Sequence, residues 1–129
     1  MPQDNAIRIL VVDDNVDGAE MLAEILQGMG YQARVAHNAA DALKAAAELR
    51  PSIAFLDIGL PVMDGYELAS HLRKLPGLAE LRLIALTGYG QESDRRKSQD
   101  AGFHHHLVKP VDMKAIEKAV AAQAAAIAS

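Results

Sequence analysis

A chain of 129 residues with 13 Lys plus Arg against 17 Asp plus Glu, formal charge −4, is large enough to bury its own core and too acidic for broad binding to a phosphate backbone. It contains no Cys, which excludes disulfides and thiolate metal sites and suits a reducing compartment. No apolar run approaches about 18 residues and no basic, apolar leader opens it, so neither a membrane span nor a signal peptide is expected, and the cytoplasm is the expected location.

In chain order, "IRILVVDD" at 7–14 is an apolar run ending on Asp13 and Asp14. Leu22, Ile25, Leu26 and Met29 then recur at helical spacing, and Gly28 and Gly30 mark the end of that helix. A weaker strand, "QARVAH", follows. Asn38 with Asp41 three residues later predicts a capping box opening "AADALKAAAELR", which Pro51 closes. The next apolar run, "SIAFLDI", ends on Asp57 before the loop "LPVMDG". There Pro61 stiffens the loop, Asp64 can cap, and Gly65 is expected to permit an unusual backbone angle at the helix entry.

Leu68, Leu72 and Leu75 stripe a third helix that Pro76 and Gly77 stop, and "LRLIALTG" is a fourth strand ending on Thr87. The fourth helix, "GQESDRRKSQDAG", has almost no apolar stripe and should be the most easily displaced element. Its Arg95, Arg96 and Lys97 are interleaved with Glu92, Asp94 and Asp100, which suits a solvated face; no direct nucleic-acid binding is expected. The fifth run, "HHLVKP", ends on Lys109. Consecutive His104, His105 and His106 alternate faces on a strand, so they cannot all grip one ion. Asp112 can cap a last helix in which Met113, Ile116, Val120 and Ile127 share a face.

Strand then helix, five times over, predicts one α/β domain over 1–129, core about 6–123, with a parallel sheet and helices on both faces. Asp13, Asp14, Asp57, Thr87 and Lys109 then all fall at carboxyl ends of strands, where open parallel sheets bind ligands. Taken singly, each has a plainer reading: Asp13 and Asp14 as caps or turn residues, Thr87 as a strand end, Lys109 as a surface cation. Asp57 is either a strand-ending turn residue or a reactive carboxylate. Three converging carboxylates with one Lys call for a divalent cation, and all-oxygen ligation suits Mg²⁺ shared with a phosphate. A carboxylate is also a nucleophile toward phosphorus, so Asp57 is the candidate phosphoryl acceptor.

"VVDDN" at 11–15, "FLDIGLPVMDG" at 55–65, "ALTGYG" at 85–90 and "LVKP" at 107–110, in this order and spacing, resemble the receiver domains of two-component response regulators. The resemblance implies a flavodoxin-like, doubly wound five-stranded parallel sheet, order 2-1-3-4-5, with five helices. It implies that Asp13 and Asp14 arrange Mg²⁺, that Asp57 is phosphorylated and ligates the metal together with the Gly59 carbonyl, and that Lys109 and Thr87 meet the phosphoryl oxygens. It also implies a cis bond before Pro110, and an influence of Gly59 and Tyr89 on acyl phosphate lifetime. His106 stands where the family usually has Tyr or Phe, the switch partner of Thr87 on the surface of helix four, strand five and helix five.

The implied donor is a histidine kinase or histidine phosphotransfer protein, and the implied activity is self-phosphorylation with slow self-dephosphorylation, without enzymatic turnover. Two rivals remain: an interaction module independent of phosphorylation, and an aspartate-nucleophile phosphohydrolase of the haloacid dehalogenase type, whose alternating D-x-D contrasts with the adjacent pair here. A stand-alone regulator, a relay intermediate and the receiver of a hybrid kinase all stay open, and by resemblance "HHLVKPVD" leans slightly toward the last.

Overall fold

The computed structural model describes residues 7–59, 65–88, 101–109 and 111–128. Its strands are β1 (Arg8–Val12), β2 (Gln32–Ala36), β3 (Ile53–Asp57), β4 (Arg82–Thr87) and β5 (His105–Val108). They form one parallel sheet in the order β2-β1-β3-β4-β5. Helices α1 (Val16–Gly28), α2 (Ala39–Leu49) and α3 (Gly65–Arg73) and a C-terminal helix (Met113–Ala128) cover it. This is the expected flavodoxin-like architecture with four helices among the described residues; most of the expected fourth helix, 90–102, lies outside them, as do Pro61, Asp64, Tyr89, the basic cluster at 95–97 and Pro110.

The central strands are apolar throughout because both of their faces are covered. Leu10, Val12, Ala54, Leu56, Leu83 and Ala85 pack on one side with Ala42, Ala46, Leu68 and Leu72 of α2 and α3. The alternate residues Ile9, Val11, Ile53, Phe55, Ile84 and Leu86 pack on the other with Leu22, Leu26, Ile116 and Val120 of α1 and the C-terminal helix. Each large side chain buried this way contributes roughly 1.5–3 kcal/mol. The edges are thinner: only Ala36 of β2 and Leu107 of β5 are buried.

Local signals set the helix ends. Asn15, not Asp13 or Asp14, caps α1, its Oδ1 accepting from Gly18 N–H at 3.0 Å. Asn38 caps α2 through Asp41 N–H at 2.8 Å, and its side-chain amide also donates to the Asp41 carboxylate, a variation on the expected box. Asp112 caps the C-terminal helix through Ala115 N–H at 2.7 Å.

The C-terminal helix buries Ile116, Ala119, Val120 and Gln123, while Met113 and Ile127, in its first and last turns, are 56% and 42% exposed. One expectation is corrected. Gly65 is not among the glycines of positive φ, which among the described residues are Gly30, Gly77 and Gly102. It is required for space instead: a Cβ there would lie 2.8 Å from Ile58 Cα and 2.9 Å from the Asp57 carbonyl oxygen. Arg73, half-buried, donates to the carbonyls of Leu81 and Gly102, tying α3 to the entry into β5.

Candidate functional site

The parallel register brings the predicted residues together at the carboxyl ends of the strands. Val12 pairs with Leu56 of β3, so Asp13 and Asp57 leave adjacent strands side by side. Asp57 pairs with Leu86, so Thr87, buried at the end of β4, is the next residue along. The Thr87 carbonyl accepts the Lys109 N–H at 2.7 Å, which carries Lys109 off the end of β5 toward the same point. There its Nζ lies 2.8 Å from Asp13 Oδ2 and 3.4 Å from Asp57 Oδ2.

Asp13 and Asp57 are buried, whereas Asp14 is exposed at the rim. One carboxylate oxygen from each of the three lies within 4.8 Å of the others. Backbone donors hold the two buried carboxylates in place: Asn15 N–H on Asp13 Oδ1 at 3.0 Å, and Gly59 N–H on Asp57 Oδ1 at 2.9 Å. The chain leaving Asp57 is anchored at both ends, by Ile58 N–H on the Leu86 carbonyl and Gly65 N–H on the Ile58 carbonyl. The close approach at Gly65 therefore sets the backbone of Asp57 itself.

The electrostatics are those of an incompletely neutralised pocket. Burial pushes the Asp57 carboxyl above its ordinary range; the Gly59 N–H pulls it down, Asp13 pushes it up again, and Lys109 opposes. For Lys109 burial disfavours the charge, but the hydrogen bond and charge of Asp13, with Asp57, outweigh it and hold the ammonium above its usual value. One ammonium facing three carboxylates leaves room for a second cation. Clustered carboxylate oxygens open to solvent through Asp14 match a hard divalent ion that keeps some of its waters, so the residues present fit Mg²⁺.

Sequence reasoning missed His37. Asp13 follows Val12 and His37 follows Ala36, a paired couple of β1 and β2, so the register itself was the signal. His37 Nδ1 stands 3.0 Å from the Asp13 carbonyl oxygen, which only a ring N–H can satisfy. His106, the predicted switch residue, is half-buried in β5 opposite Ala85. The histidine run forms no metal cluster among the described residues, where Asp13, Asp14 and Asp57 are the one group found. His104 instead accepts the Leu83 N–H on its Nδ1 at 3.1 Å.

A doubly wound sheet carries at its carboxyl pole an acidic, lysine-bridged pocket that suits a divalent cation. The family model of the response regulator receiver domain matches residues 9–121, and the chain belongs to that family. It is 33% identical to sporulation initiation phosphotransferase F of Bacillus subtilis (strain 168), over 88% of this chain and 90% of that one. It is also 33% identical to the sensor histidine kinase RcsC of Salmonella typhi, over 90% of this chain but 12% of the kinase. Among solved structures, the CheY-like receiver domain protein from Methanospirillum hungatei JF-1 superposes with a TM-score of 0.83 at 28% identity, over 92% of this chain and 94% of that one. The receiver domain of sensor histidine kinase PA1611 from Pseudomonas aeruginosa PAO1, solved with magnesium coordinated in its active site cleft, gives 0.81 at 25%, over 92% and 97%. No helix among the described residues is long and apolar enough to cross a membrane.

Proposed function

We propose that Asp57 accepts a phosphoryl group from a phosphohistidine on a histidine kinase or histidine phosphotransfer protein, and that the chain acts as a phosphorylation switch in the cytoplasm. The observation that carries this is the Lys109 ammonium bridging Asp13 and Asp57 beside a third carboxylate, because it joins a nucleophile to a charge-neutralising pocket. A carboxylate oxygen of Asp57 attacks phosphorus, an O–P bond forms, the P–N bond breaks, and its electron pair returns to the imidazole of the donor.

Lys109, which already reaches Asp57, supports negative charge on the phosphoryl oxygens, and the Thr87 hydroxyl is assigned a donor role there. Asp13, Asp14, Asp57 and the Gly59 carbonyl are the assigned magnesium ligands; bound there, the ion supplies positive charge against the phosphoryl group. The Gly59 N–H keeps one Asp57 oxygen oriented throughout. The reaction is stoichiometric: the receiver catalyses its own modification and slow hydrolysis, not turnover of a small substrate.

Phosphorylation adds about −1.5 to −2 charge at Asp57, and the assigned response is a population shift involving Thr87, His106 and the surface of segment 90–102, β5 and the C-terminal helix. The deciding experiment is transfer of labelled phosphate from phosphorylated donors. The chain is expected to take up about one equivalent with Mg²⁺, and Asp57→Asn none. Label retained in Asp57→Asn, or repeated turnover of a small phosphate ester, removes this reading.

A further inference from the structure

The pole of the sheet opposite the acidic pocket carries a second concavity. A cavity of about 460 Å³ opens there, lined by residues that include Arg8, Arg50, Ser52, Glu80 and Arg82. The strand order creates it. β1, β3 and β4 are neighbours, and the ladder continues one step before β3, with Ser52 N–H on the Arg8 carbonyl at 2.8 Å and Arg82 N–H on the Ser52 carbonyl at 3.0 Å. Arg8 stands opposite Ser52, and Arg82 opposite Ile53 one residue further along, so Arg8 and Arg82 leave opposite faces of the sheet and both line the hollow at its end. Arg50, held in a left-handed conformation at the end of α2 (φ 53°, ψ 65°), adds a third guanidinium to the lining.

Among the described residues no carboxylate forms an ion pair with these cations. The ion pairs among the described residues are Arg34 with Glu48 and Lys109 with Asp13 and Asp57. Arg8 directs Nε and Nη2 to the carbonyls of Leu49 and Arg50, and Arg82 directs Nε to Gln123 Oε1 at 2.8 Å. Such bonds orient a guanidinium while leaving further N–H groups of its five available. Stabilising the carbonyl end of α2 accounts for Arg8. It does not account for Arg50 and Arg82 lining the same hollow, where Glu80 is the one acid among the described residues.

We infer that this pole binds a small anion carrying at least two linked phosphate groups. Planar guanidinium forks match phosphate oxygens in pairs. The volume falls in the range of small-molecule sites, roughly 300–1,000 Å³, and three arginines less one glutamate suit a ligand of two or more negative charges. Inorganic pyrophosphate and the phosphate chain of a nucleoside diphosphate present this chemistry alike. The site does not depend on phosphorylation of Asp57.

The test is a titration of the full chain with pyrophosphate and with ADP, read by amide NMR in EDTA so that the acidic pole holds no divalent ion. Saturable shifts at Arg8, Arg50, Ser52 and Arg82 are expected. Arg50→Asn, which tolerates the left-handed backbone, and Arg82→Gln should each weaken binding about tenfold, the loss of a charge-assisted contact. Tighter binding of ADP assigns a nucleotide, and equal binding assigns the phosphate chain alone. No saturation by about 10 mM, shifts confined to the Asp57 pole, or affinities unchanged in Arg50→Asn overturn the inference; that variant decides if Arg82→Gln does not fold. Phosphoryl transfer to Asp57 should be unchanged in Arg50→Asn, so this outcome and that of the proposed function are read separately.

Discussion

The two poles of the sheet are built from the same strands and carry opposite electrostatics. At the carboxyl pole two buried carboxylates face one ammonium, and Lys109 is held above its ordinary pKa. At the amino pole cations meet one another: burial, then the charges of Arg82 and Arg73, lowers His104, and burial together with Arg82 lowers Arg73. Each pole therefore has a surplus of one sign that a ligand of the other sign can relieve, and the parallel register, which lines up all amino ends and all carboxyl ends, is what separates them.

The strongest way to break the comparison is to remove the cation of the acidic pole. Lys109→Ala leaves Asp13 and Asp57 facing each other without their bridge. Phosphoryl transfer to Asp57 should fall about a hundredfold or more, the usual cost of losing one preorganised charge partner, while the fold survives because Lys109 is 31% exposed and solvent screens what remains. Transfer rates of single-turnover reactions measure this. A rate within a factor of about two of wild type would mean the bridge is structural only.

Gly65→Ala tests the backbone rather than the charges. The Cβ would meet Ile58 Cα and the Asp57 carbonyl, both main-chain atoms that cannot swing away. A loss of about 1–3 kcal/mol in denaturant unfolding is expected, with poorer phosphoryl uptake because the acceptor must shift. Wild-type stability in this variant would show that the chain moves aside freely.

Asp57→Asn sharpens the comparison from the stability side. The folded-state pKa of Asp57 is raised above its unfolded value, so the folded form holds this proton more tightly. That contribution is present at low pH and is lost as pH rises through the folded pKa, and ionised Asp57 is a cost at neutral pH without metal. The variant should unfold at a higher temperature than wild type in EDTA at neutral pH, an advantage that fades as pH falls toward the unfolded carboxylate range. Magnesium should stabilise wild type, by about 2.7 kcal/mol at a hundred times its dissociation constant, and the variant less. Equal melting temperatures across that pH range contradict the pocket's charge imbalance.

The carboxyl pole was legible in the sequence because its residues interrupt apolar runs: Asp13, Asp57, Thr87 and Lys109 each end one, and buried strands seldom tolerate polar residues there. The same runs disclosed both faces of the central strands. The amino pole was not legible. Arg8 and Arg82 begin their strands as ordinary polar residues do, and only the order β1-β3-β4 makes them neighbours of Ser52. Gly65 looked like a turn glycine because sequence shows an angle preference but not the approach of a distant backbone. On the C-terminal helix, Ala119 and Gln123 share the buried face with Ile116 and Val120, and a small and a polar residue hide such a stripe from hydropathy.

The smallest effect belongs to His104, which probes the basic pole without touching the acidic one. Its ring Nδ1 accepts the Leu83 N–H and its backbone N–H donates to the Leu83 carbonyl, so His104 closes the ladder where β4 and β5 meet. Burial, then the charges of Arg82 and Arg73, disfavours protonation of the ring and lowers its pKa. A folded-state pKa below the unfolded one means that the unfolded chain takes up the proton first, so stability is complete above the ordinary histidine range and declines as pH falls through it. His104→Asn can keep a short acceptor but not the titration. It should cost about 1 kcal/mol or less at pH 8, the net worth of one hydrogen bond, and flatten the decline between about pH 7 and 5. A wild-type slope retained in the variant would place the titrating group elsewhere.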